Sequence, residues 1–328
     1  MEPEPDSARA TAGICETESF SSVGADPSAL PDLLVEVPHG ATRRKDFDEA
    51  RRLLRGEFPA DLEEFFFVNT DVGAPECALR LARSFVDPRG EPGLVELAGL
   101  PTSEIDRPRK AEVVRSLLPR TFVDCNRVVG SVNASGVRLT PAVPDYVTDP
   151  DDVRLLEERH RAYQKLAASA YRRVCGAGGT ALTLHTYAPR SVQIERLDGS
   201  IVETLRAAYR PDSYESWPRR PAVDVISEGD DGRLLAPPGL VASVMELYEL
   251  AGVSPRRNAT YRLHEGTTGY LHASRYSGRV LCLEINRELL ADPFDPFSEM
   301  RIGEAKVRKM TLPLAAALLR HAAGAGGS

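Results

Sequence analysis

The sequence predicts an α/β fold: a single domain with a mixed, mostly parallel sheet and helices on both faces. Three observations point there. Short apolar runs alternate with segments of helical period along most of the 328 residues, the order that crossover connections produce. The apolar runs are nearly continuous rather than alternating, as in strands buried on both faces. Several of these runs end in polar groups, and in open α/β sheets the carboxyl ends of strands are where ligands bind. An apolar content of 42% supplies a core and a charged content of 27% a hydrated surface.

The elements follow in order. Residues 1–30 are rich in Glu, Ser, Ala and Pro without periodicity and are expected to be a disordered acidic tail. The domain then runs over 31–323. "LLVEV" (33–37) reads as a strand and "DFDEARRLLRG" (46–56) as a helix with an acidic first turn. "EFFFVN" (64–69) reads as a second strand, and "APECALRLARSFV" (74–86) as a helix with Ala78, Leu81, Ala82 and Phe85 on one side. "RTFVDCNR" (120–127) is expected to be a strand. A long helix follows over 149–179, capped by acids at its start and stopped by glycines. "TALTLHTY" (180–187) is a strand, and 188–238 reads as an irregular insertion over one end of the sheet. A helix over 239–252, a strand over 279–289 and a closing helix over 299–323, broken near Pro313, complete the chain, with a flexible tail at 324–328.

Composition excludes several function classes. The net charge is −7 and no basic block is present, so no nucleic-acid partner is expected. No apolar run approaches the roughly 20 residues needed to span a bilayer, and no signal-peptide layout opens the chain. Cys15, Cys77, Cys125, Cys175 and Cys282 are odd in number and form no C-x-x-C pair, which fits a reducing cytoplasm without disulfides or a cysteine zinc site.

The polar strand ends carry the chemistry. They are His39 in "VEVPHG", Asp124, Asn126 and Arg127 in "FVDCNR", His185 in "LTLHTY" and Glu284 in "LCLEINR", with Asp71 in "NTDVGAPE" just before a helix. Each has a bland reading alone. His39 could be a turn residue, Asn126–Arg127 a loop anchor, Glu284 a solvent-facing group on an edge strand, and Asp71 a helix N-cap. His160, on a charged helix, and His321, in the last helix, are assigned to the solvated surface. The agreement of the other placements favours a site, because such groups are seldom buried unless paired or metal-bound. His, Asp and His suit a divalent metal, zinc by ligand type. A nearby carboxylate, Glu284, would shuttle a proton, and the fork of Arg127 suits a substrate carboxylate. Together they point to hydrolysis of an amide near a free carboxylate.

The motifs "VPHG", "NTD", "FVDCNR", "LTLHTY", "RPAVDVISEGDDGRLLAP", "NATYRLHEGTTGYLH" and "VLCLEINRELL" occur in an order that resembles the N-formylglutamate amidohydrolase family, across roughly residues 33 to 320. The resemblance implies a zinc-carboxypeptidase-like and aspartoacylase-like fold, in the broader phosphorylase/hydrolase-like class. It implies metal ligands at His39, Asp71 and His185, a substrate grip at Asn126 and Arg127, a general acid/base at Glu284, and a pocket lining near Thr268, Gly269 and Tyr270. The substrate would be a small N-acyl amino acid or a peptide. Thr183 stands where the family has an Asp beside the second histidine, which keeps open a catalytically silent binding protein on the same scaffold; a tailoring amidohydrolase acting on a peptide is the further alternative. Gly40, after the histidine, is expected to let backbone approach the ion.

Overall fold

The apolar runs at 33–37, 180–187 and 280–286 lie side by side as the centre of one sheet. The computed structural model describes residues 7–11, 13–129, 139–192, 194 and 196–325. Among them eight strands pair in one sheet: β1 (Ser7–Thr11), β2 (Cys15–Ser21), β3 (Leu33–Val37), β4 (Lys110–Ser116), β5 (Thr180–Tyr187), β6 (Val223–Ile226), β7 (Pro255–Arg257) and β8 (Val280–Asn286). The spatial order is β1-β2-β4-β3-β5-β8-β6-β7. Strands β4, β3, β5 and β8 are parallel; β2 on one side and β6 on the other run antiparallel to them.

The helices are α1 (Arg44–Arg51), α2 (Leu62–Asn69), α3 (Ala74–Val86), α4 (Leu94–Ala98), α5 (Thr102–Ile105) and α6 (Pro150–Val174), then α7 (Ile201–Ala208), α8 (Pro211–Ser216), α9 (Pro238–Leu250), α10 (Thr268–Arg275) and α11 (Glu304–Ala325). Helices α3, α9 and α11 pack on one face over Val35, Val37, Leu182, Leu184 and Leu283. Helix α6, with α2 and α10, covers the other face over Leu34, Ala181 and Cys282. Alternate residues of β3 thus serve opposite cores, which is why its apolar run has no polar face. The long helix starts where its cap predicts: the Asp149 carboxylate accepts from the amides of Asp151 (2.8 Å) and Asp152 (3.2 Å).

Several expectations are corrected. Residues 7–11 and 15–21 of the expected tail are strands. Strand β2 pairs along the whole of β4 and, on its other side, with β1, and its Cys15 and Phe20 are fully buried, so the strand forms from backbone bonding on both sides plus two buried side chains. Residues 1–6 and 326–328 lie outside the described residues. The run 64–69 is helical rather than extended. A short apolar run does not distinguish the two by periodicity, and α2 buries Leu62, Phe65, Phe66 and Phe67 with acids in its first turn. The strand expected at 120–127 lies upstream, at β4. Residues 121–127 form successive turns, with the amides of Phe122 and Val123 donating to Pro119 O. The supposed insertion 188–238 contributes α7, α8 and the sheet strand β6. Helix α11 runs through Pro313 without a break, held by Leu314, Ala315, Leu318 and Leu319 in the core.

Candidate metal centre

The parallel strands β4, β3, β5 and β8 deliver their carboxyl ends to one cavity of about 540 Å³, whose lining includes His39, Asp71, Asn126, Arg127, His185 and Glu284. His39 sits two residues past the end of β3, in a turn made possible by Gly40. A Cβ at Gly40 would lie 2.4 Å from the Arg115 side chain and 3.0 Å from Ser116 O, so glycine is needed for the turn to lie against β4. His185 is on β5, directly across from Glu284 on β8. Register partners of neighbouring strands share a face, so both side chains point toward α6's side of the sheet.

Asp71 precedes α3 but does not cap it. The N-cap is Gly73, and the Asp71 carboxylate turns inward instead. Its Oδ2 lies 3.2 Å from His39 Nδ1 and 2.8 Å from His185 Nδ1. Among the described residues these three side chains form the cluster able to hold a metal ion, with ligand atoms within 4.8 Å of one another, all three buried. Two imidazole nitrogens and one carboxylate oxygen are the donor set of a catalytic zinc site, which keeps a fourth position open.

The donor set is tested by the other nitrogen of His39. His39 Nε2 lies 2.7 Å from Asp124 Oδ1, so both ring nitrogens face carboxylate oxygens. An ionised carboxylate only accepts, so a proton or a metal ion must sit between on each side. With Nε2–H donating to Asp124, Nδ1 is left for a cation, which is the carboxylate–histidine–metal arrangement. Asp124 is itself fixed by Arg120 Nε at 3.0 Å and by the Asn126 amide at 2.8 Å.

Charge divides the two kinds of carboxylate. Burial opposes ionisation of Asp71, but His39 and His185 outweigh it and hold its pKa below the usual range. Asp124 is likewise held well below that range, with Arg120, Arg127 and His39 outweighing burial. Glu284 is pushed the other way: burial raises its pKa, His185 lowers it and Asp71 adds to the rise. Its Oε2 is buried with no hydrogen-bond partner among the described residues. A pair of acids driven apart by environment marks an acid/base assignment. For His185, burial disfavours the cation, but the bond to Asp71 raises its pKa above the ordinary value.

The remaining predicted residues are placed differently from one another. Asn126 is in the wall, its Oδ1 accepting from Thr268 Oγ1 (3.1 Å) and the Gly269 amide (3.1 Å), which turns its NH₂ toward His185. Thr268 is buried behind Asn126 rather than lining the cavity, at the start of α10. Arg127 lines the cavity but donates to Thr140 O (3.1 Å) and Asn126 O (3.0 Å) and lies 3.6 Å from Asp124. Thr183 is one register layer deeper, hydrogen-bonded at 2.6 Å to Tyr171, whose hydroxyl also reaches Glu36 at 2.7 Å. His160 is buried, contrary to its expected exposure, and donates to Arg127 O at 3.0 Å; His321 is partly buried. Sequence reasoning gave no role to Asp124, Arg120, Arg220 or Arg287, which also border the cavity. Asp124 stood among the polar groups of its motif, but its partner His39 is 85 residues away.

No family model matches this chain, and no curated protein does. Solved structures do. N-formylglutamate amidohydrolase from Ralstonia eutropha JMP134 is 16% identical, with TM-score 0.52 over 94% of this chain and 98% of that one. A gene product from Agrobacterium tumefaciens is 16% identical, with TM-score 0.48 over 94% of this chain and 96% of that one. Succinylglutamate desuccinylase from Chromobacterium violaceum is 12% identical, with TM-score 0.41 over 95% of this chain and 66% of that one. This chain therefore has a fold similar to that of the Ralstonia amidohydrolase across nearly the whole length of both.

Proposed function

We propose that this protein is a metal-dependent amidohydrolase that cleaves an N-acyl amino acid, of the N-formylglutamate type, or a related carboxylate-bearing amide. The observation that carries this reading is the buried His39–Asp71–His185 cluster opening on a cavity that also holds an unpartnered Glu284 oxygen. Zinc held by those three side chains would supply the positive charge that makes a water nucleophilic near neutral pH. Glu284, its proton affinity raised by burial, takes the proton of the attacking water and passes it to the amide nitrogen as the C–N bond breaks. The products are then a carboxylic acid and a free amine. Asn126 presents its NH₂ to the substrate in the orientation Thr268 and Gly269 impose, and Arg127 completes that wall.

Purified protein loaded with zinc should release formate from N-formyl-L-glutamate. Glu284→Gln should lower kcat by about 10²- to 10⁴-fold with zinc retained, the scale of a general acid/base. Protein that takes up no divalent metal, together with hydrolysis unchanged by His185→Ala, would sink the mechanism.

A further inference from the structure

Six arginines border the cavity: Arg120, Arg127, Arg190, Arg220, Arg262 and Arg287. Five have an acid within ion-pair distance. Arg120 and Arg127 share Asp124 at 3.0 and 3.6 Å, Arg262 meets Glu228 at 2.8 Å, Arg287 lies 3.8 Å from Asp71, and Arg190 pairs with Glu215. Arg220 has none among the described residues. Its guanidinium instead lies near two rings, 5.1 Å from the centroid of Tyr187 and 5.5 Å from that of Tyr261. Nε donates to Ser191 Oγ at 3.0 Å and Nη2 to the Tyr261 hydroxyl at 2.9 Å. Nη1 is left without a protein partner among the described residues.

A guanidinium has five N–H donors in a rigid fork matched to a carboxylate. Here two donors and two nearby rings hold it still, while Nη1 stays open and no acid of the described residues lies within ion-pair distance. Ring faces favour the cation without cancelling its charge. Fixing the fork in advance removes most of the ordering cost that an exposed arginine would incur on binding an anion.

We infer that Arg220 is the cavity's receptor for a substrate carboxylate and so a specificity-determining residue of the amide hydrolysis proposed above, on which this inference rests. The experiment uses glutarate, a dicarboxylate with no scissile bond, titrated calorimetrically into the full chain in metal-free and zinc-loaded forms, with glutaramide as the uncharged control. Glutarate should bind in both forms and glutaramide should not. Arg220→Ala should weaken glutarate by about 10- to 100-fold, the scale of lost charge-assisted hydrogen bonds, in both forms alike. Arg220→Lys, which keeps the charge but not the fork, should fall between, and serves if the alanine variant is poorly folded. With N-formyl-L-glutamate as substrate the same variants should raise KM more than they lower kcat. Glutarate binding equally well to wild type and both variants overturns the inference, as does absence of glutarate binding to the wild type. Glutarate binding that depends on Arg220 without any hydrolysis of N-acyl amino acids would leave the receptor standing and remove the amidohydrolase reading.

Discussion

At the scale of single residues the site is a chain of partners, each fixing the next: Arg120 holds Asp124, Asp124 holds His39 Nε2, and His39 offers Nδ1 to the position it shares with Asp71 and His185. The members of the buried His39–Asp71–His185 cluster were legible in the sequence because imidazole and carboxylate groups are seldom buried unless paired or metal-bound. Asp124 was not assigned because its role depends on a contact that only folding makes. Partners of this kind tune ligand basicity and orientation, so Asp124→Asn should weaken zinc by about 10- to 100-fold without removing a ligand. Competition with a calibrated chelator measures this, and an affinity equal to wild type would show that His39 is oriented by something else. Thr183 is the informative departure. It stands two residues before His185 and bonds Tyr171, while Asp71 meets the His185 ring nitrogen directly.

At the scale of elements, those with a long periodic pattern were read almost to the residue. Helix α3 and strand β5 fall where 74–86 and 180–187 were expected. The failures share a cause: "EFFFVN" and "RTFVDCNR" are short apolar runs whose burial is compatible with helix, strand or turn, and tertiary contacts decide. Two histidines on helices also escaped sequence reading: α6 looks charged although part of it faces the core, and His272 of α10 was given no role. His160 on α6 and His272 on α10 are buried, and His272 stacks on Tyr171 with centroids 3.9 Å apart. Burial lowers both pKa values from the ordinary 6.5. Each therefore binds a proton less readily folded than unfolded, so the unfolded chain takes up more protons as pH falls through about 6.5 and stability is lost there. Urea unfolding of wild type should give a lower midpoint at pH 5.5 than at pH 7.5. The double variant His160→Gln/His272→Gln should show a smaller drop, and equal drops in the two proteins would mean that these histidines do not carry the effect.

At the scale of the whole molecule, the proposed ligands come from three separately anchored pieces: the turn after β3, the segment leading into α3, and β5 itself. Strands β3 and β5 are neighbours in the sheet, while α3 packs on the opposite face from α6, so an ion at His39, Asp71 and His185 ties the sheet to one of its covering layers. Unfolding must scatter these pieces, because they are far apart in sequence, and the unfolded chain has no comparable site. Zinc held at the proposed site would bind the folded state alone and stabilise it by mass action, about 2.7 kcal/mol when free zinc is 100 times its Kd. Chelation should lower the unfolding temperature by several degrees, and added zinc should restore both the temperature and hydrolysis. The decisive comparison is His185→Ala. It removes one ligand, so its unfolding temperature should be insensitive to zinc over the range that shifts wild type. Glu284→Gln, which leaves all three ligands in place, should retain the zinc-dependent shift while losing turnover. If wild type and His185→Ala respond to zinc alike, the ion binds elsewhere and the three pieces are held together by their hydrogen bonds alone.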